Sequence, residues 1–128
     1  MYKILDELSK LSENQAVTAT ATTVGANIDG INIGDVSYVA ILNVTGATGT
    51  FDGANNYTVA LEASDALGGA YKQVGNLATI LADGQHEVGF TANQLNSIVP
   101  NANHFRVTST KVGTTATGIT HTAFISKV

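Results

Sequence analysis

From residue 16 onward the chain is written in short runs of Val, Ile, Thr, Tyr and Phe, each broken within a few residues by Gly, Asn or Asp. β-branched and aromatic side chains fit a pleated, half-buried surface, and turn residues at such close intervals leave little room for long helices. Residues 16–23 alternate, with Val17, Ala19 and Ala21 on one side and Thr18, Thr20 and Thr22 on the other, which predicts an opening strand with one wet face. Residues 38–44 are apolar almost throughout, the pattern of a central strand covered on both faces. Tyr57, Val59, Leu61 and Ala63 alternate with polar or small neighbours and predict a further strand. Shorter strands are expected at 28–33, 71–74 and 87–90, with a loop over 46–56.

One internal helix is expected. Thr91 followed by Gln94 forms a capping-box pattern, and Pro100 stops a helix over 91–98. Beyond it, Phe105, Val107 and Ser109 alternate with Arg106, Thr108 and Thr110. The turn at 113–118 is expected to pair this run with 119–128 as a hairpin. Seven or eight short strands at this turn spacing predict an all-β antiparallel jelly roll or β-sandwich.

The first eleven residues follow another period. Ile4, Leu5, Leu8 and Leu11 fall on one side at helical spacing, with Lys3, Asp6, Glu7 and Lys10 opposite. So short a helix is marginal in water unless its apolar stripe docks on something. The chain therefore divides into an N-terminal arm, residues 1–11, and a β domain, residues 12–128. The stripe is expected either to cover the domain's own sandwich or to reach a neighbouring subunit as a protein interface.

Composition removes several functions. Six Lys and Arg against ten Asp and Glu leave a net charge of −4, the wrong sign for a nucleic-acid binder. No apolar run is long enough to span a membrane, and the acids among the first residues do not resemble a secretory signal. Without cysteine there are no disulfides and no thiol nucleophile or thiolate metal site. Charged residues make up only 12% of the chain, about half the usual share of roughly 25%. Thr, Asn and Gly fill the difference. Their hydroxyls and amides desolvate more cheaply than charges, which suits a lasting protein contact.

Nothing in the pattern marks a catalytic centre. His86, His104 and His121 are isolated, without the spacing that brings two ligands to one helical face. His86 is expected at a solvated hairpin end near Asp83 and Glu87, and His121 at a surface or interface. The Asp52-Gly53-Ala54-Asn55-Asn56 stretch lacks the carboxylates of a calcium loop and reads as an Asx-rich turn. Phosphate-binding glycine motifs are absent, and the sequons at Asn43 and Asn56 are expected coincidences of a threonine-rich chain. No Trp and four Tyr supply a poor stacking platform for sugars. These features predict a non-catalytic protein without metal or cofactor.

The run Leu11-Ser12-Glu13-Asn14-Gln15-Ala16-Val17-Thr18-Ala19-Thr20-Ala21 resembles the opening of the capsid cement, or decoration, proteins of tailed bacteriophages of the Bordetella phage type. Residues 57–64 followed by 68–71, and Phe105-Arg106-Val107-Thr108 followed by 113–119, are similar in outline to that family's later strands. Between residues 27 and 56 the chain departs from it. The resemblance implies a jelly-roll subunit that forms homotrimers on the outer surface of a phage head and bridges major capsid protein subunits. It implies no catalytic residue and no cofactor, and it places the protein in the virion after synthesis in the bacterial host cytoplasm. The alternative expectation is a receptor- or glycan-binding β-sandwich domain of a tail or baseplate.

Overall fold

The computed structural model describes residues 10–23, 26–28, 31 and 36–127. Along these run β1 (Lys10–Val17), β2 (Ala21–Thr22), β3 (Ala26–Asn27), β4 (Ser37–Gly49) and β5 (Asn56–Ser64). They are followed by β6 (Lys72–Ile80), β7 (Gly84–Thr91), α1 (Ala92–Ile98), β8 (His104–Val112) and β9 (Ala116–Lys127). The strands form two antiparallel sheets. Sheet A has the order β1-β9-β4-β7 and sheet B the order β2-β8-β5-β6, with β3 also paired to β8. Taking β2 and β3 as two pieces of one edge, this is the strand order of a jelly roll, the all-β class expected from the turn spacing.

Alternation along each strand sets the core. Tyr57, Val59, Leu61 and Ala63 of β5 are buried, and Phe105 and Val107 of β8 lie beside them in register. Ala40, Leu42 and Val44 of β4 face them from sheet A, together with Ile119, Ala123 and Ile125 of β9. At 20–33 cal/mol per Å2 of apolar area removed from water, this layer is the main stabilising term. The inner position of β4, between β9 and β7, matches the expectation of a central strand.

Helix α1 begins where the capping box places it. Thr91 Oγ1 accepts from the Gln94 backbone N–H at 3.1 Å, and Gln94 Oε1 accepts from the Thr91 N–H at 2.9 Å. Ala92 and Leu95 are its buried side, so two turns suffice because they are anchored in the core.

Several expectations fail at points where the chain changes sheet. The alternation over 16–23 is not one strand. Val17 ends β1 in sheet A, residues 18–20 bend, and Ala21 enters sheet B opposite Ser109. Nor do the last two strands form a hairpin. β8 pairs with β5 in sheet B and β9 with β4 in sheet A, so residues 113–115 are an arch between sheets. Asn55 pins that arch by accepting the Thr114 and Thr115 N–H groups on its Oδ1, at 2.9 and 3.1 Å. The expected loop over 46–56 is shorter, because β4 continues to Gly49 against β9 through irregular register. Finally, β1 starts at Lys10, so the last two residues of the expected arm belong to the sheet.

Candidate interaction faces

Strand register builds the outer face of sheet B from short polar side chains. Thr58 lies between Thr110 and Thr79, and in the next row Thr22, Thr108, Ala60 and Asn76 lie side by side. A third row holds Arg106, Glu62 and Gln73. Antiparallel neighbours stand about 4.5–5.5 Å apart, so these rows form a continuous shallow surface.

The charges on this face are spent on one another. Glu62 Oε1 accepts from Arg106 Nε and from Thr108 Oγ1, both at 2.7 Å. Both ionic side chains are mostly buried, at 20% and 29% exposed. The Arg106 guanidinium also stacks on the Tyr71 ring, 4.0 Å from its centroid. Tyr71 is held in turn by its hydroxyl, which donates to the Leu67 carbonyl at 3.3 Å. A fixed, neutralised centre ringed by hydroxyls and amides loses little on desolvation, the electrostatic condition for burying the face under another protein.

The outer face of sheet A has a different character. Its rows include Ser126, Val39 and Gly89, then Phe124, Ile41 and Glu87, then Thr122, Asn43 and Gln85. A groove of about 480 Å3 runs over Val39 and Gly89 to Thr91 and Gln94.

The expected stripe is divided. Leu11 lies in β1, 6% exposed, within the domain's own core cluster. Its side chain is thus committed to the sandwich. Ile4, Leu5 and Leu8 lie outside the described residues.

The histidines differ most from expectation. His121 is 1% exposed, inside the sandwich, with Ser12 Oγ 2.7 Å from its Nδ1 and Ser109 Oγ 3.5 Å from its Nε2. Burial holds its pKa below the usual 6.5. It is a core residue where a surface one was expected, because even a polar residue at an inward position must follow the strand's alternation. His86 pairs with Leu42 in β7 and turns inward as well, with its Nε2 buried and without a hydrogen-bond partner among the described residues, so it is not a solvated hairpin end. His104 Nδ1 lies 2.8 Å from Asn103 Oδ1 at the start of β8. Among the described residues no group of three or more His, Cys, Asp or Glu converges as a metal site would require.

Asp52 behaves as an Asx turn. Its Oδ1 accepts the Asn55 amide at 3.0 Å and the Ala54 N–H at 2.8 Å, and these bonds hold its pKa below the ordinary value. Asn56 is buried, with its amide donating to the Asp52 and Gly53 carbonyls. Among the described residues no helix is long and apolar enough to cross a membrane.

No family model matches the chain. No curated protein is significantly similar in sequence. Among solved structures, the chain is similar to the CBM22-1–GH10 modules of an N-terminal fragment of Clostridium thermocellum endo-1,4-β-D-xylanase 10B, solved with xylohexaose. The TM-score is 0.47 at 9% identity, over 94% of this chain. The chain spans 26% of that structure's length.

Proposed function

We propose that this protein is a structural virion component, a cement protein that binds the outer surface of a tailed-phage head as a homotrimer and bridges major capsid protein subunits. The observation that carries the reading is the outer face of sheet B. It is shallow, rich in threonine and amide side chains, and its ionic pair is already compensated. The likeness of residues 11–21 to the opening of cement proteins supports the same assignment.

The action is mechanical. A trimer touching several capsid subunits converts weak single contacts into strong attachment, because the second and third contacts form at high effective concentration. Binding only the assembled shell then stabilises that shell by mass action. In this reading no residue acts as a catalyst, and no metal or cofactor takes part.

Light scattering coupled to size exclusion tests the assembly, and co-sedimentation with purified heads stripped of their own decoration protein tests the partner. The expected mass is about three times 13.2 kDa, the size of a closed cyclic trimer. Heads should take up the parent chain and reject Ala60→Lys/Thr108→Lys, which places two charges in the middle of the face. A monomer that ignores heads overturns the proposal.

A second reading, a glycan-binding domain, is favoured by one feature, the aromatic Tyr71 beside Arg106 and Glu62. Arg106 already occupies one side of that ring, which leaves a sugar at most the other. Saturable binding to a glycan panel, abolished by Tyr71→Ala, would select this reading instead.

A further inference from the structure

Three large hydrophobic side chains stand exposed among the described residues, and two of them, Leu81 and Val112, share one end of sheet B. Leu81 is 53% exposed and Val112 is 38% exposed. Val112 ends β8 opposite Asn56, and Leu81 follows Ile80, the β6 partner of Tyr57. The two therefore flank the start of β5 from opposite sides. Two strand spacings, about 10 Å, separate them, so they do not cover each other.

Their surroundings are complementary. Leu81 forms one wall of a groove of about 430 Å3, together with Phe51, Ala47 and Gly49. The Phe51 ring is braced by Tyr57, with ring centroids 6.3 Å apart. Asp83 stands at the same groove, held there because its Oδ1 accepts the Ala47 N–H at 2.8 Å. Val112, by contrast, is an apolar projection beside a cation. Its neighbour Lys111 has its Nζ 3.5 Å from the Thr18 carbonyl, which keeps the ammonium on the β2 side of the sheet, away from Asp83.

One edge of this end is thus an apolar knob with a lysine, and the other an apolar groove with an aspartate. Within one chain the two cannot meet, since β5 lies between them. A second copy of the chain carries what each lacks. Copies of a chain of net charge −4 repel one another in general, so they approach best where a lysine of one meets an aspartate of the next. A contact between two different patches runs head to tail, and such contacts close into a ring when the rotation between copies allows it.

We propose that this end of sheet B is the contact between copies of the chain, with Val112 of one copy seated in the groove beside Leu81 and Phe51 of the next and Lys111 facing Asp83. Burying the two exposed aliphatic side chains supplies the apolar part of the association. The threonine rows of sheet B then stay open to another partner. The number of copies, three, rests on the function proposed above, whereas the choice of patch rests on the geometry of this end.

Val112→Asp and Leu81→Lys test the contact, because charging either patch disrupts it while both positions are exposed enough to leave the fold intact. Light scattering over a concentration series should show the mass falling from about three times 13.2 kDa in the parent to a single chain in each variant. Circular dichroism and thermal melts should match the parent. The absence of cysteine makes a second, direct check possible. Val112→Cys chains mixed with Leu81→Cys chains should oxidise to dimers containing one chain of each kind, and neither variant alone should link to itself. Variants that keep the parent mass, a parent that stays monomeric as concentration rises, a mixture that fails to link, or self-linkage of either cysteine variant would overturn the proposal. Co-sedimentation with heads is read separately. A parent that binds heads while both charged variants keep its mass overturns this contact alone, and a parent oligomer that both variants dissolve but that ignores heads overturns the capsid reading alone.

Discussion

Ser12 Oγ lies 2.7 Å from Nδ1 of His121, a contact between the first strand and the last made inside the sandwich. A neutral imidazole suits this position, accepting from Ser12 at Nδ1 and directing its Nε2 proton towards Ser109. Adding a proton there would place a charge among apolar neighbours.

Stability is accordingly expected to fall in mild acid. The folded pKa of His121 is depressed by burial, whereas the unfolded chain takes up its proton near the usual 6.5. Below about that pH the unfolded state binds more protons, so the free energy of unfolding decreases as pH falls. Urea melts at pH 7.5 and pH 5.5 should give a lower midpoint at the acid value. His121→Gln, which carries no titrating group, should narrow the difference, and an unchanged difference would remove His121 as its source.

Tyr57 offers the opposite kind of test. Its ring is completely buried against Phe51, yet its hydroxyl has no hydrogen-bond partner among the described residues, and burial raises its pKa. A buried polar group left unpaired costs about 1–3 kcal/mol. Tyr57→Phe is therefore expected to leave stability unchanged or to raise it by up to about 1 kcal/mol. Tyr57→Ala should cost about 3–5 kcal/mol through the lost packing. Thermal melts of the two variants decide this, and a clear loss in Tyr57→Phe would mean that the hydroxyl is paired in solution.

Thr91→Ala removes the side-chain acceptor at the start of α1 and should cost about 1 kcal/mol. Because Leu95 is buried in the core, the loss should appear in the global denaturation midpoint rather than as local fraying.

The arch between β8 and β9 depends on Gly113, whose φ of +77° lies in the left-handed region. A Cβ there would also run into the Asn55 side chain and the Ala54 carbonyl. Gly113→Ala is expected to destabilise by about 1–3 kcal/mol. Gly53→Ala, which meets nothing and has no positive φ, should be nearly silent in the same urea titration.

Local order was legible in the residues, and partnership between distant strands was not. The inward set of β5 and the capped start of α1 follow from alternation and one short motif, because each is decided within a few neighbouring positions. The pairing of Glu62 with Arg106 joins residues 44 apart in sequence. Its location depends on which strands become neighbours, information that alternation does not contain. The same gap explains the arch at Gly113, since a glycine-rich turn looks alike whether it joins two strands of one sheet or crosses between two. His86 and His121 were misplaced for a related reason: polarity argued for water while strand phase argued for the interior, and phase prevailed.

The position of β9 between β1 and β4 has a consequence for how the protein is made. The central partner of sheet A is made after every other strand of the two sheets, so β1 and β4 wait for it through the synthesis of everything between them. Local pairing is available earlier to β5 and β6, which are consecutive and adjacent. Folding of the two sheets is thus unequal in time, with sheet B able to begin before β9 is made and sheet A completed only once it has been, the slow, non-local closure expected of such a topology. A nascent chain arrested before residue 116 would hold Leu42 and Val44 without their neighbours on β9, a state that a chaperone has reason to recognise.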